Sequence, residues 1–471
     1  MQKNGTGLIY DIHDKPPFGK IIVFSLQQLL AIIAATILVP MLVNSYGAVD
    51  LQMDTAAALL GAGVGTFVYI LFTKAQCPVF LGSSFAFLSA LYSATVFGYC
   101  GIIVGGILAG AVYVVIAIIV HFTGTKWVSR LLPPVIIGPT VAIIGLGLSG
   151  SAISNFTSGL DGGYNLIAIL CGVITFIATV LAATFGRKTM RLIPFIIGII
   201  AGYIACLIFS LIGIACNAPY LQLIDFSIFK DAFSPFTVSS IIHVPKFAFV
   251  EAGREIGSFE WGNLGTLALL FMPVAFVVLA EHIADHKNLG TVIGRELVDS
   301  KAPGLTRTLL GDGVGSMVGA FFGCCPNTTY GESVGCVAIT KNASIYSIIG
   351  AAGFSILLSF FTPFVVFVRT IPSCVIGGIC VCLYGFIAVS GLKMLQPVDL
   401  SNNRNLFVVS AVFVPGIGGL TLDFGARGDG SPVIQITAVA VALFLGIFTN
   451  FILGRKKADE APVKTSGKKG K

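Results

Sequence analysis

The chain has 471 residues, of which 56% are hydrophobic and only 10% are charged. Soluble globular proteins carry about 25% charged residues, so this composition excludes a water-soluble fold and indicates a protein that crosses the membrane several times. The formal net charge is +7, but the basic residues lie in short loops and at the C-terminal end instead of forming one patch. We therefore expect no nucleic-acid partner.

The first twenty residues are polar, and we expect no cleavable signal peptide because they lack an apolar core. The first apolar run begins at Ile21. A membrane-spanning helix needs about 20 apolar residues, and the chain contains fourteen candidate segments. They are residues 21–44, 55–73, 78–95, 99–122, 131–150, 164–184, 192–213, 264–286, 304–323, 326–342, 345–368, 372–392, 404–421 and 432–453. The predicted fold is an all-α polytopic membrane protein with fourteen transmembrane segments.

The basic residues indicate how these segments are oriented. With the N-terminus in the cytoplasm, 23 of the 28 lysines and arginines fall in inside loops or at the C-terminal end. The other five are Lys230, Lys246, Arg254, Arg369 and Arg427. This asymmetry follows the positive-inside rule and predicts cytoplasmic N- and C-termini. It also supports the number of segments, because one missed span would reverse the side of every later loop.

Two motifs occur twice in the chain. CPVFLGSSFAF begins at Cys77, in the third segment, and CPNTTYGESVG begins at Cys325, in the tenth. Aligned on Cys-Pro, Ser84 falls opposite Glu332. The fifth and twelfth segments also match, with Pro133 opposite Pro372 and Gly138 opposite Gly377. The sequence therefore predicts two seven-span repeats, and an odd number of spans inverts the second repeat in the membrane.

The third and tenth segments are the poorest helix formers, since both combine proline, glycine and hydroxyl residues. Matched, interrupted segments in two halves of a chain are typical of the midplane site of a secondary transporter. We expect Val79–Leu81 to be extended, with a half-helix (a short helix that ends inside the membrane) beginning at Ser83 and Ser84. We likewise expect Asn327–Tyr330 to be extended, with a half-helix beginning at Glu332. The two half-helices would present free N–H groups to one shared cavity.

Four carboxylates lie in or beside the predicted spans, and an ionisable residue within a span suggests a functional site. Glu281 and Asp285 follow the apolar run TLALLFMPVAFVVLA and share one helix face, because they are four residues apart. Glu332 begins the second half-helix. Asp312 lies close to Arg307, so a structural pairing and a functional role both stay open for it. For each acid the alternative is a carboxylate that only holds helices together.

His282 and His286 are also four residues apart, in HIADH, and this spacing can bind zinc. A zinc site would need a third protein ligand, and no other histidine or cysteine in an apolar segment is an obvious candidate. An intramembrane metalloenzyme is therefore kept as an alternative, although we expect no metal. The 11 cysteines are predicted to be reduced thiols that pack as small hydrophobes.

Three motifs together resemble the nucleobase–ascorbate transporter family (nucleobase:cation symporter 2), in particular its bacterial uracil permease branch. They are AEHIADHKNLG (280–290), CPNTTYGESVGCVAITK (325–341) and LGSSFAF (81–87), and NTTYGE is the most specific part. The resemblance extends from about Phe24 to Leu395. It implies a transporter and not an enzyme, working by proton-coupled uracil symport with an elevator-type movement. The proton would be the coupling ion, with no cofactor, and the protein would be a homodimer in the lipid bilayer of the cytoplasmic (inner) membrane.

The resemblance also implies a core domain and a gate domain, each built from both repeats. The core domain would comprise residues 21–122 (spans 1–4) and 264–368 (spans 8–11), and the gate domain residues 131–213 (spans 5–7) and 372–453 (spans 12–14). Residues 214–263 would form an extracellular connector, and residues 454–471 a disordered cytoplasmic tail.

The same motifs imply the substrate site. Glu281 and Glu332 would hydrogen-bond the pyrimidine, and Phe85 would stack on its ring. The other contacts would come from the backbone of Gly331 and Ser84, from Tyr330 as a lining residue, and from Tyr384 on the gate side. Alternatives are a permease for another nucleobase such as xanthine, an anion exchanger of related plan, and a channel; no arginine lies near the half-helices to hold an anion.

Glu281, Asp285 and His286 are the candidates for carrying the coupled proton. The chain departs from the family pattern at three places. Gln28 stands in the first span where the family usually has histidine, Ser333 follows Glu332 where asparagine is usual, and Asp285 occupies a position that is histidine in some uracil permeases. These departures leave the proton-carrying residue open.

Overall fold

The computed structural model describes residues 7–45, 51–187, 190–242, 244–299, 303–323, 325–426 and 432–459, which are mostly helical. The first half forms α1 (Phe18–Ser45), α2 (Thr55–Phe72), α3 (Leu88–Ala94), α4 (Gly98–Thr123), α5 (Lys126–Leu131), α6 (Pro134–Gly147), α7 (Ser149–Thr157), α8 (Leu166–Phe185), α9 (Pro194–Ala215), α10 (Ser227–Phe233) and α11 (Ala248–Glu255). The second half forms α12 (Leu264–Ile293), α13 (Gly304–Gly323), α14 (Gly331–Thr340), α15 (Ile345–Ser359), α16 (Thr362–Arg369), α17 (Ser373–Met394), α18 (Asn403–Ile417) and α19 (Ala438–Asp459). Four short strands are β1 (Leu81–Ser83), β2 (Asn327–Thr329), β3 (Leu422–Ala426) and β4 (Pro432–Ile436).

Every one of the fourteen predicted segments contains a helix, but they are not equally long. Among the described residues, eight helical stretches are long and apolar enough to cross a membrane, and α15, α18 and most of α19 are shorter apolar helices. One of the eight, Phe85–Thr123, runs through both the third and the fourth predicted segment. The chain turns within it at Gly98, whose φ is +68°. The protein is therefore a multi-pass membrane protein.

The prolines of the second matched motif occupy the same structural position. Pro133 (φ −74°, ψ 162°) directly precedes α6, and Pro372 (φ −64°, ψ 148°) directly precedes α17. Proline suits a helix start because its fixed φ is compatible with the helix and its missing N–H would be unpaired there anyway. The alignment of the fifth and twelfth segments therefore matches one helix start to another.

The extended stretches and helix starts of the two interrupted segments, the third and the tenth, differ slightly from the prediction. β1 and β2 pair antiparallel, with Gly82 opposite Thr328, so the extended backbone continues two residues beyond the predicted end at Leu81. A 3₁₀ turn begins at Phe85, not at Ser83 or Ser84, and leads into α3; α14 begins at Gly331, one residue before Glu332. The reason is backbone pairing, since irregular backbone at membrane depth must find partners within the protein.

The strands also change the alignment of the two interruptions. In both, the helical turn begins four residues after the strand begins, at Phe85 after Leu81 and at Gly331 after Asn327. When β1 is aligned with β2 and Phe85 is aligned with Gly331, Ser84 corresponds to Tyr330. The Cys-Pro alignment, which placed Ser84 opposite Glu332, is therefore displaced by two residues.

The helices pack in two groups. α13 packs against α2 and α4, α15 packs on α2, α1 packs on α15, and α12 packs on α4. In the other group α17 packs against α6, α7 and α8, α9 packs on α8, and α18 packs on α6 and α19. Gly138 of α6 meets the backbone of Gly391 in α17, which lets these two helices approach closely. α12 contacts α6 and α19 and so joins the two groups.

The connector between α9 and α12 is anchored to α4. Glu255, at the end of α11, accepts hydrogen bonds through Oε2 from the N–H groups of Tyr99 (2.7 Å) and Cys100 (3.4 Å). Its carboxylate also fills the space that a Cβ on Gly98 would occupy. Glu255 therefore caps the first turn of α4 at the place where the chain turns.

The C-terminal helix is longer than predicted. α19 continues to Asp459, so the first six residues of the predicted tail, 454–459, are helical. The rest of that tail, residues 460–471, lies outside the described residues.

The cysteines in the described part of the chain agree with reduced, packed thiols. All ten are free, and only Cys216 is exposed. The Sγ atoms of Cys206 and Cys374 lie 3.7 Å apart between α9 and α17, within contact distance but not bonded.

Candidate functional site

The paired strands hold the two interrupted segments together. The hydroxyl of Tyr330 donates a hydrogen bond to the carbonyl of Ser83 (2.8 Å), and the Tyr330 N–H donates to the carbonyl of Phe80 (3.3 Å). The Tyr330 ring lies against Gly82, leaving no room for a Cβ. The predicted pocket-lining tyrosine is thus buried and bonded across both strands, directly before α14 begins.

Two carboxylates of α12 face the start of α14. Asp285 accepts a hydrogen bond from the Thr329 hydroxyl (3.0 Å), and a Cβ on Gly331 would lie 3.4 Å from the other oxygen of Asp285. Glu281 lies one turn earlier on α12, and α12 packs against α14, which carries Glu332. The acids predicted from the two halves of the chain therefore lie on two helices that pack together.

Glu281 and Glu332 are the least engaged of these acids. Each is partly exposed, whereas Asp285 is buried. In the described part of the chain, neither glutamate makes a hydrogen bond or ion pair to another residue. Partly exposed carboxylates that are not bonded to another residue are available to accept hydrogen bonds from a ligand.

Phe85 and Tyr384 meet across the two helix groups. Their ring centroids are 6.0 Å apart with the planes at 79°, an edge-to-face arrangement. Phe85 begins the first helical turn after β1 and contacts α12, while Tyr384 lies in the middle of α17. The residues predicted to stack on the substrate and to close the site from the gate side are therefore in contact.

The N–H of Ser84 is already engaged, because it donates to the carbonyl of Pro326 (3.0 Å). Its side-chain Oγ is buried and, among the described residues, has no hydrogen-bond partner, and the same holds for the hydroxyls of Ser83 and Thr328. An unpaired buried hydroxyl is costly, by about 1–3 kcal/mol. The hydroxyl of Ser84 is therefore a further group that could contact a ligand, beside the backbone contact that was predicted.

His282 forms a buried pair that the sequence did not predict. Its Nδ1 lies 2.6 Å from Oδ2 of Asp312, and its Nε2 lies 3.1 Å from Oγ1 of Thr308. Thr308 donates its own proton to the carbonyl of Leu305, so it accepts from His282 Nε2–H. One further proton must then lie between Nδ1 and Asp312. Of the two possibilities left open for Asp312, the structure shows a pairing, but its partner is His282 of α12.

His286 is turned away from the acids beside α14. Its Nδ1–H donates to the carbonyl of His282 (2.7 Å), since a carbonyl can only accept, and its Nε2 lies 2.5 Å from the hydroxyl of Tyr69 on α2. In the neutral ring, Nε2 therefore accepts from Tyr69. Neither histidine has a ring nitrogen free to bind zinc, and the described residues contain no group of three or more histidine, cysteine or acidic residues that could hold a metal.

A family model described as "Permease family" (Xan_ur_permease) matches residues 19–424. Similar proteins include uracil permeases of Bacillus caldolyticus (38% identical, covering 96% of both chains), Bacillus subtilis strain 168 (35%, 96% of both) and Escherichia coli K12 (31%, covering 94% of this chain and 93% of that protein). The chain belongs to the nucleobase–ascorbate transporter family. It is therefore a transporter and not an enzyme, which removes the metalloenzyme alternative.

Solved transporters share the fold of this family member at low sequence identity. The transmembrane domain of the cyanobacterial bicarbonate transporter BicA has a TM-score of 0.58 at 11% identity, covering 93% of this chain and all of that one. Murine Slc26a9, an anion transporter, has a TM-score of 0.60 at 11% identity, covering 94% of this chain and 69% of that one. This likeness concerns the fold alone.

Gln28 of α1 supports α14. Its Nε2 donates to the carbonyl of Ser333 (3.3 Å), and the Ser333 hydroxyl accepts from the N–H of Phe80 (3.0 Å). Gln28 and Ser333 thus both hold the turn that carries Glu332. The sequence feature that could have pointed to this contact was a glutamine in an otherwise apolar span.

Proposed function

We propose that this chain is a uracil permease that imports the base across the cytoplasmic membrane together with protons. The observation that carries the proposal is that Glu281 of α12 and Glu332 of α14 are both partly exposed carboxylates on two helices that pack together. The similar uracil permeases, aligned over almost the whole chain, support the choice of substrate.

The chemistry of uracil suits these groups. Its ring N–H groups would donate to the carboxylates of Glu281 and Glu332, and its carbonyls would accept from the N–H groups at the start of α14 and from the Ser84 hydroxyl. The face of Phe85 would stack on the flat ring. Such paired polar contacts discriminate against bases that leave a buried group unpaired.

We propose fourteen spans arranged as two inverted repeats. Helix packing supports this arrangement. Each span of one repeat corresponds to the span seven positions away in the other repeat, and replacing both helices of a packed pair by their counterparts gives another packed pair. The contact of α1 with α15 becomes that of α12 with α4, the contact of α8 with α9 becomes that of α18 with α19, and the contact of α17 with α8 becomes that of α6 with α18. The matched helix starts after Pro133 and Pro372 support it as well.

We propose that the two groups of packed helices are the core and the gate. Two cavities support alternating access between these groups. One, of about 320 Å³, is lined by α12 and by Pro134 and Ile137 of α6. The other, of about 480 Å³, is lined by the end of α1 and by Ser373 and Ile376 of α17. When Pro133 is aligned with Pro372, these residues match pairwise. The cavities lie at opposite ends of α17, as expected of the inner and outer mouths of one pathway.

We also propose a homodimer that forms through the gate group. The apolar faces of α8 and α9 support this, since Ile177 is 47% exposed and Ile204 is 49% exposed. Such faces must meet lipid or a second copy of the chain.

Uptake into proteoliposomes tests the proposed function. Radiolabelled uracil should accumulate when the outside is made acidic, and should equilibrate without accumulating when the gradient is collapsed. Accumulation that ignores the gradient would remove the proton coupling. Thermal stabilisation of the purified protein by a panel of nucleobases tests the substrate, because a tight ligand raises the melting temperature by mass action. Stabilisation by xanthine and not by uracil would assign the chain to another base.

A further inference from the structure

The inner-mouth cavity, the space of about 320 Å³ between α12 and the gate helices α6 and α17, has an unusual lining. Its polar groups are Lys287 and Asn288 of α12 and Ser390 and Lys393 of α17. Among the residues that the structure describes, no acidic side chain lines it. Both lysines are exposed, and in the described part of the chain neither side chain has an ion pair or hydrogen bond. Two unpaired ammonium groups therefore share one cavity.

The rest of the cavity is apolar. Its floor is formed by Pro134, Ile137, Ala280, Ile283, Ala284 and Met394. Its volume is at the lower end of the range of about 300–1,000 Å³ typical of small-molecule sites. A ligand that fits would combine a small apolar or flat body with a compact anionic group at the lysine rim.

We propose that this cavity binds a phosphate group carried on an apolar body, held between Lys287 and Lys393. A phosphate dianion matches two compact ammonium charges, and lysine binds phosphate as a point charge. The amide of Asn288 and the hydroxyl of Ser390 supply further hydrogen-bond donors. Both lysines belong to the predicted cytoplasmic side, where phosphorylated metabolites and anionic lipid headgroups are both available.

The favoured source is a pyrimidine nucleoside monophosphate, an assignment that rests on the proposed function. A reaction that consumes an imported base by attaching a ribose phosphate to it would yield a product that carries a flat ring and a phosphate together. The cavity lies beside the substrate site, since Ala280 and Ala284 of its floor flank Glu281 on α12. A ligand held there would link Lys287 of the core group to Lys393 of the gate group. Occupation would oppose their relative movement, so the product of uracil consumption would inhibit further uptake.

The test measures binding to the purified full-length protein by thermal shift, independently of transport. Uridine monophosphate should raise the melting temperature, uridine should have little effect, and inorganic phosphate should act only at higher concentration. In the double variant Lys287→Gln/Lys393→Gln, the apparent Kd for uridine monophosphate should rise by at least about tenfold, as expected when charge-assisted contacts are lost. Lys126→Gln, an exposed lysine of α5 outside the cavity, is the matched control and should behave as the unchanged protein.

A parallel arm identifies the source of the phosphate. If phosphatidylglycerol stabilises the protein over phosphatidylcholine, uridine monophosphate does not, and the double variant loses the effect, the site holds a phospholipid headgroup. If neither stabilises the protein, or if the double variant responds as the unchanged protein does, the proposal is overturned. Uracil is added separately in every case. The double variant should keep its stabilisation by uracil, which shows that it folds, and a failure of uracil to stabilise the unchanged protein would count against the proposed function and not against this site.

Discussion

The carboxylate of Asp285 accepts a hydrogen bond from the hydroxyl of Thr329, with 3.0 Å between Oδ2 and Oγ1. Thr329 ends β2, and α14 with Glu332 begins two residues later. A change of charge on Asp285 therefore acts directly on the segment that presents Glu332. His286, the neighbouring candidate for proton coupling, is instead hydrogen-bonded to Tyr69 of α2.

This difference predicts that Asp285, and not His286, couples transport to protons. Asp285→Asn can keep the hydrogen bond to Thr329 but cannot change charge. We expect this variant to exchange uracil across proteoliposomes at equilibrium while losing accumulation driven by a pH gradient. His286→Gln should retain gradient-driven accumulation. Unchanged accumulation by Asp285→Asn would move the coupled proton to another residue.

Glu281→Gln and Glu332→Gln should each weaken uracil binding. A glutamine keeps the shape of the side chain but replaces a charged acceptor, and a hydrogen bond to a charged group is worth about 1.5–3 kcal/mol. We therefore expect the Kd for uracil, measured by calorimetry on purified protein, to rise by roughly 10- to 150-fold. Glu260→Gln, in the connector, is the control and should bind as the unchanged protein does. Normal binding by either site variant would remove that residue from the site.

Phe85→Ala should lower the affinity for uracil by the loss of one stacking contact, about 1–3 kcal/mol by comparison with base–aromatic stacking elsewhere. Phe122→Ala is a matched control, because the Phe122 side chain is 80% exposed at the end of α4. Competition against radiolabelled uracil would measure both variants. Equal affinities for the two would mean that Phe85 does not contact the base.

Gly82→Ala should destabilise the protein. A Cβ at this position would overlap the ring of Tyr330, which is fixed by its bond to Ser83. Overpacking of this kind costs about 1–3 kcal/mol. Gly335→Ala is the control, because a Cβ there meets no atom within 4 Å and alanine favours the helix. The thermal midpoint in detergent should fall for Gly82→Ala and should not fall for Gly335→Ala.

Asp312→Leu should cost about 1–3 kcal/mol of stability, because removing one partner of a buried pair leaves His282 without its hydrogen bond. The double variant Asp312→Leu/His282→Leu should lose less than the sum of the two single losses. Thermal unfolding of the four proteins measures this coupling. Additive losses would show that the two side chains do not stabilise each other.

The positions of the interruptions could be predicted because proline, glycine and hydroxyl residues stand out in so apolar a chain. Their register could not, because the start of each helix depends on strand pairing between residues far apart in sequence, such as Gly82 and Thr328. The same pairing occupies the N–H of Ser84, a residue whose backbone was predicted to contact the substrate. Local sequence carries no information about such partners.

The acids illustrate the same limit. Glu281 and Glu332 could be identified because a carboxylate in a span has few explanations. The partner of Asp312 could not, since its nearest charged neighbour in sequence, Arg307, lies on the same helix, whereas His282 reaches it from α12. A glutamine such as Gln28 was visible as a polar residue, but its contact with Ser333 depends on the packing of α1 against α14.

The central claim is that Glu281 and Glu332 bind one base between them, and a cryo-electron microscopy map of the protein with uracil tests it most directly. The account predicts density for a flat ring on the face of Phe85, with both carboxylates at hydrogen-bond distance, about 2.7–3.2 Å, from the ring. Density for the base at another place, or a bound base that touches neither glutamate, would contradict it.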